Sequence, residues 1–290
     1  MPLAQGAPTR EHAFASELWR VPPLPGALAR LLAVAHDDNS ELADVAEAVA
    51  LDEVLAAHIM RAANSALLGF RATAKNVQQA VARIGCTTVL SVAVAQALSG
   101  SARLARNIGG IPRVSYWEHN WAVATAASIL GPVVGLRPAE AHLAGLLHDM
   151  GKLLLASREP GTYEDCIAQA AQTGASLRHT ETRFLGLDHT AAGAAALAAW
   201  QMPELAVLAA ERHHDRAACA ASPVVGVVGT ANLLAHEARL GDSGNPSWPS
   251  PFDHPELRPR LPDAALRRCL AQLERESCWL KELAAQFSEA

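Results

Sequence analysis

Six residues between Trp117 and Asn232 carry side chains that can hold a divalent metal: His119, the adjacent pair His148-Asp149, His189, and the adjacent pair His213-His214. Their intervals place them on separate helices. Imidazole nitrogens and a carboxylate suit ions such as Fe, Mn or Zn, and helices of a bundle can aim such groups at one interior point. Neighbours such as His148 and Asp149 project about 100° apart on a helix, so a shared ion sits in the angle between them. Taken singly, each histidine reads as an ordinary polar or core residue. The set is stronger than its members, because Leu146-Leu147 delivers His148 and Asp149 at the end of an apolar run. Unpaired polar groups buried there would cost about 1–3 kcal/mol each, and a bound metal or phosphate removes that cost. Lys152, three residues beyond Asp149, would lie near the same helix face. It reads equally as a contact to a phosphate oxygen or as a solvated lysine at a helix end.

Helices must position these groups, and helical spacing of apolar residues runs almost the whole length. It shows in Leu42, Val45, Ala46 and Val49, and again in Val77, Ala80, Val81 and Ile84. The Val224–Val228 run has strand propensity, yet Val224, Val227, Val228 and Ala231 trace one helical face, and a helix is expected there. Helix starts are expected at Ser40, after Pro203 and at Asp263. Residues 240–262, where Gly, Pro, Ser and Asn displace the periodic apolar positions, predict a surface loop. Beyond it, Leu266, Leu270, Leu273, Leu280, Leu283 and Phe287 form a stripe that must pack on the body or on a partner.

With 290 residues and 50% hydrophobic content the chain can bury a sizeable core. Its 24 Lys and Arg against 29 Asp and Glu, a net charge of −5, argue against charge-driven binding to nucleic acid or anionic membrane. No uninterrupted apolar run approaches the ~20 residues of a membrane span, and Met1–Arg20 lacks a secretory pattern, so a cytoplasmic location is expected. The five cysteines form no CxxC pair and read as buried free thiols.

His148-Asp149-Met150-Gly151-Lys152 resembles the HD-x-GK motif of the HD phosphohydrolase superfamily. More closely, the chain resembles the HDOD family. The matching stretches are Val21–Pro25, Leu51-Asp52-Glu53, Met60–Ala66, Val77–Gly85, Trp117-Glu118-His119 and Ala144–Asp149. They continue through Gly186–His189 with Gly193, Trp200–Pro203 and Arg212-His213-His214. Within the first half Asn64-Ser65 reads either as a helix-ending hydrogen-bond device or as a binding site.

The resemblance implies an all-α fold of two closely packed helical lobes, the second HD-like. The HDOD domain would span 18–239, with lobes at 18–99 and 113–239, and a C-terminal helix at 263–290 packed on the body. It implies metal ligands at His119, His148, Asp149, His189, His213 and His214, for Fe, Mn, Mg or Zn, with a last carboxylate at the position held by Asn232. Asn offers only a neutral oxygen, so a mononuclear or empty site is expected rather than a binuclear one. No Gly-Tyr-Pro follows His213-His214, which argues against the cyclic-di-GMP phosphodiesterase branch. The function expected is a regulatory or adaptor protein of signal transduction, acting through contacts with signalling proteins and with little or no catalysis. The alternative is a metal-dependent phosphohydrolase of a nucleotide or other phosphoester, with Asp149 orienting the metal and Lys152 steadying phosphate charge.

Overall fold

In the computed structural model of the protein, residues 26–36, 40–70, 72–99, 107–253, 258 and 260–287 are described. The Leu18 boundary, the Val21–Pro25 stretch and the end of the C-terminal helix beyond 287 lie outside them.

Among the described residues, four α-helices build the first lobe: α1 (Gly26–His36), α2 (Leu42–Ala50), α3 (Glu53–Ala63) and α4 (Val77–Ser99). α2 starts after Glu41, which shares a capping box with Asp44, one residue later than the Ser40 expected from residue type alone. α3 starts where the Asp52 carboxylate accepts from Leu55 N at 2.9 Å. Val45, Ala46, Ala48 and Val49 of α2 and Leu55, Ile59, Ala62 and Ala63 of α3 turn inward onto α4. α4 has the length and apolar composition of a membrane span, the one such helix among the described residues. Many of its apolar residues are buried against the other helices of its lobe. It also breaks at Gly85 (φ 77°, ψ 159°), a conformation that side-chain-bearing residues rarely adopt.

Asn64-Ser65 proves to be the hydrogen-bond device. Asn64 Oδ1 accepts from Ala74 N at 2.6 Å and its Nδ2 donates to Ala74 O at 3.1 Å, pinning the loop before α4. Ser65 Oγ accepts from Leu67 N and donates to Glu282 Oε2 at 2.5 Å, a tie to the C-terminal helix.

The second lobe opens with a two-residue hairpin, β1 (Asn107–Ile108) with β2 (Ile111–Pro112). α5 (Arg113–Leu130) is its axle, with α6 (Pro138–Leu147), α13 (Pro223–Glu237) and α14 (Asp263–Ala285) packed around it. Between them run α7 (Met150–Arg158), α8 (Pro160–Thr173), α9 (Leu177–Leu185), α10 (His189–Ala199), α11 (Glu204–Arg212) and α12 (Arg216–Ala221). The valine run is helical, inside α13, and α11 and α14 begin after Pro203 and at Asp263. α14 lays its stripe on the body: Leu266, Leu273, Leu280, Leu283 and Phe287 are buried, and Leu270 is half-buried. Cys166, Cys219 and Cys269 are buried thiols, whereas Cys86 is half-buried and Cys278 is exposed, a correction to the expectation for those two.

The lobes also meet where His142 of α6 touches Ser91 of α4, Nε2 to Oγ at 2.6 Å. Burial lowers the His142 pKa from 6.5 to about 4. As pH falls below 6.5 the unfolded chain takes up this proton while the folded protein refuses it until about pH 4. Stability is therefore full above that window and declines as pH drops through it, by up to about 3 kcal/mol from this group. In urea unfolding, His142→Gln should show a shallower loss between those pH values than the parent protein. Parallel curves would show that His142 is not the group responsible.

Candidate metal centre

His148 closes α6 and Asp149 opens α7, so the pair sits in the corner where two helices join. His119 comes from the middle of α5, His189 from the first turn of α10, and His213-His214 from the end of α11. Glycine sets the crossing of α7 and α10. A Cβ on Gly151 would fall 1.9 Å from His189 O and 2.7 Å from Gly193 N, so the two backbones touch and His189 is brought to Asp149.

The six residues converge. Asp149 Oδ1 lies 3.5 Å from His189 Nε2 and 3.5 Å from His213 Nε2, and His189 Nε2 lies 3.2 Å from His214 Nε2. Its other oxygen, Oδ2, lies 3.2 Å from His148 Nε2 and 4.0 Å from His119 Nε2. One ligand atom from each of Asp149, His189, His213 and His214 falls within 4.8 Å of the rest, as does one from each of His119, His148 and Asp149. Asp149, His119, His148 and His189 are fully buried, His213 nearly so, and His214 partly.

Three histidines are oriented by the same device. His148 Nδ1 pairs with Gly145 O at 2.7 Å, His213 Nδ1 with Ala209 O at 3.1 Å, and His189 Nδ1 with Glu181 Oε2 at 2.6 Å. Each pairing commits Nδ1 as donor and turns an Nε2 lone pair toward Asp149. Burial lowers the pKa of His119 to about 3 and that of His213 to about 4, and puts His214 well below its usual value. These rings are neutral at pH 7, the state that binds metal. Burial would raise the Asp149 carboxyl, but the neighbouring His148 and Lys152 hold it well below the usual range, with His213 adding to them.

The donor set fits a divalent ion. His148 Nε2, His213 Nε2, Asp149 Oδ1 and both His119 nitrogens are buried with no hydrogen-bond partner among the described residues. Orphaned buried groups of this kind call for an ion or a donor between them. A tetrahedral ion with bonds of about 2.0–2.1 Å needs ligand atoms about 3.3 Å apart. Asp149 Oδ1 lies 3.5 Å from His189 Nε2 and from His213 Nε2, and the His189 and His214 Nε2 atoms lie 3.2 Å apart, all near that separation, while the set as a whole falls within 4.8 Å.

Lys152 does not face solvent. It is 1% exposed, and its Nζ donates to Asp149 Oδ2 at 2.6 Å and to Ser243 O at 2.8 Å. Residues of the 240–262 segment reach inward here too. Leu240 and Ser243 are buried, Asp242 N donates to Ser115 O at 3.1 Å, and Trp248 stacks on His236 with ring centroids 4.0 Å apart. A buried lysine needs an acceptor and a buried imidazole needs cover, and this segment supplies both.

Glu181, Tyr163, His236, Ser243 and Trp248 are site residues that sequence reasoning missed. Glu181 Oε2 holds both His189 N at 2.9 Å and Nδ1, while Tyr163 donates to Oε1 at 2.8 Å. Glu181 lies on α9, separated from His189 by the left-handed turn at Gly186, so no helical spacing links them. Glu181→Gln should weaken Zn binding about 10- to 100-fold by loosening that ring. Unchanged affinity in competition with a chromophoric chelator would count against this positioning role.

A cleft of about 570 Å³ opens onto His213 and His214, with Arg178, His179, Arg216 and Asn245 on its walls. Arg178 is already paired with Asp188 at 2.7 Å.

An all-helical protein with buried histidines gathered about an adjacent His-Asp pair has the fold of the HDOD class. Residues 21–216 match the HDOD domain, and the chain belongs to the HDOD family. Three solved structures share the fold. A candidate phosphohydrolase from Shewanella amazonensis is 24% identical, with TM-score 0.74 over 94% of this chain and 98% of that one. An HDOD domain protein of unknown function from Geobacter sulfurreducens is 22% identical, with TM-score 0.72 over 97% of each. A candidate signal transduction protein from Marinobacter aquaeolei is 23% identical, with TM-score 0.77 over 95% of this chain and 61% of that one. An uncharacterized protein of Treponema pallidum is 22% identical over 217 residues, 73% of this chain and 42% of the relative's length.

Proposed function

We propose that this HDOD protein is a regulatory or adaptor component of signal transduction, working in the cytoplasm through contacts with other signalling proteins. The metal centre then organises or senses rather than turning over substrate. One observation carries this reading: among the described residues Asp149 is the only carboxylate in the cluster, and one of its two oxygens is already bonded to Lys152. The position where the resemblance places a further carboxylate holds Asn232, buried and with an unpartnered Oδ1. A bound divalent ion would supply Lewis acidity, but with Asp149 as the one carboxylate ligand among the described residues the set offers little negative charge for a second ion, and so for a two-metal clamp on a phosphoester.

The first lobe supports the contact role. Leu42, Leu51, Val54, Leu67 and Phe70, all in that lobe, are about half exposed or more, while Val133 and Phe184 are the other large apolar side chains so exposed among the described residues. Exposed apolar groups gathered on one lobe suit a protein partner.

The second reading, a metal-dependent phosphohydrolase, draws on the cleft beside His213 and His214. Arg178, His179 and Arg216 would attract a nucleotide or other phosphoester there.

Hydrolysis of cyclic dinucleotides and nucleoside phosphates by the purified protein with Mn, Fe or Mg separates the two. The regulatory reading expects negligible turnover, together with loss of the cellular effect and of partner capture in Leu51→Glu/Val54→Glu. Robust metal-dependent turnover abolished by Asp149→Ala would establish the enzyme instead.

A further inference from the structure

We infer that the centre holds one divalent ion, on the Oδ1 side of Asp149 with His189, His213 and His214, and that the Lys152 ammonium is the resident second cation on the Oδ2 side, where His119 and His148 stand. The inference rests on the cluster being a metal site and adds its stoichiometry and location.

The two oxygens of Asp149 live in different surroundings. Oδ1 has no hydrogen-bond partner among the described residues and faces His189 Nε2 and His213 Nε2 at 3.5 Å each. His214 completes that set, with its Nε2 3.2 Å from that of His189. Glu181 adds negative charge behind His189 and pins its ring. This half therefore offers a free carboxylate oxygen and three imidazole nitrogens, one ligand atom from each residue within 4.8 Å of the rest, a set that a four-coordinate ion can draw together.

The Oδ2 half differs in charge and in rigidity. Oδ2 already accepts from Lys152 at 2.6 Å, and Lys152 is held in place by Ser243 O at 2.8 Å. Among the described residues the other donors there are His148, His119, the neutral amide of Asn232, which lies against His119, and His236, whose ring centroid is 4.6 Å from that of His119 and whose Nε2 already pairs with Ser243 Oγ at 3.1 Å. His119 stands 4.0 Å from Oδ2, beyond hydrogen-bond reach, and its neighbours are the neutral Asn232 amide and the His236 ring rather than an anion. A divalent ion placed there would meet a fixed ammonium across a shared oxygen and find no uncommitted anion. Neutral imidazole and amide groups suit a water molecule instead. An ammonium thus does the charge neutralisation that a second metal would otherwise do, which leaves one ion and no paired-metal clamp.

The test is metal stoichiometry on the full chain, stripped by chelator and titrated with Co2+ and with Zn2+, with bound metal measured by plasma mass spectrometry. The expected result is one ion per chain, with the Co2+ spectrum of a four-coordinate site. His214→Ala should weaken it at least about tenfold, while His119→Ala leaves one ion with affinity little changed. Lys152→Gln should take up a second ion. If that variant does not fold, the contrast between His214→Ala and His119→Ala decides the matter alone. Two ions in the unaltered protein, or loss of the ion in His119→Ala as complete as in His214→Ala, overturns this inference and leaves the metal reading standing. No ion in any variant overturns both.

Discussion

Asp149→Ala should cost the protein about 3–5 kcal/mol of folding stability and weaken divalent metal binding by at least about a hundredfold. Both effects follow from one carboxylate. Lys152 is 1% exposed, and without Asp149 its ammonium keeps only the Ser243 carbonyl. An uncompensated buried charge is among the most destabilising defects a single substitution can create. The same change removes the one anionic ligand that the described residues give the cluster. A double substitution separates the two consequences. Asp149→Ala with Lys152→Met deletes both charges, so much of the lost stability should return while the metal stays lost. Urea unfolding of the four proteins in metal-free buffer, beside Zn titration of each, measures both. If the double variant is no more stable than Asp149→Ala, the buried ammonium is not what makes the single change costly.

Gly151→Ala is the second large effect, expected to exceed about 3 kcal/mol. The added methyl would lie 1.9 Å from His189 O and 2.7 Å from Gly193 N. Both obstacles are backbone, so no rotamer can make room, and α7 and α10 must part. Because His189 rides on α10, metal affinity should fall along with stability. Gly161 on α8 is the control, since a Cβ there meets nothing within 4 Å. Gly161→Ala should be neutral or stabilising by up to about 1 kcal/mol. Comparable losses in the two variants would mean that the α7–α10 contact is looser than it stands.

The helices were legible because apolar spacing reports local geometry. Val45 and Val49 share the buried face of α2, as Leu55 and Ile59 share that of α3, and spacing alone places each pair on one face. The Val224–Val228 run was decided for helix by the same periodicity against its strand propensity. The reach of that argument ends at the element. Residues 240–262 carry loop composition, and nothing in them announces that Ser243 would be buried under Lys152 or that Trp248 would cover His236. His236 itself is one more histidine on a helix until α5 brings His119 beside it, ring centroids 4.6 Å apart.

The donor chemistry was present in the sequence by itself. His148 and Asp149 are neighbours in the chain, and side chains of those types at the end of an apolar run must be paired when buried, whatever the fold. The resemblance added which distant histidines join them. What only the tertiary structure decided is how Asp149 divides its two oxygens, Oδ1 toward His189 and His213, Oδ2 toward Lys152 and His148. It also decided that Glu181 stands behind His189 and that a carbonyl 91 residues along the chain holds Lys152 in place. The physical reason is range: spacing along a helix orients side chains over a few turns, whereas these assignments depend on where separate helices cross. That crossing is set at Gly151 and Gly193, by the absence of side chains rather than by any group that pattern reading would single out.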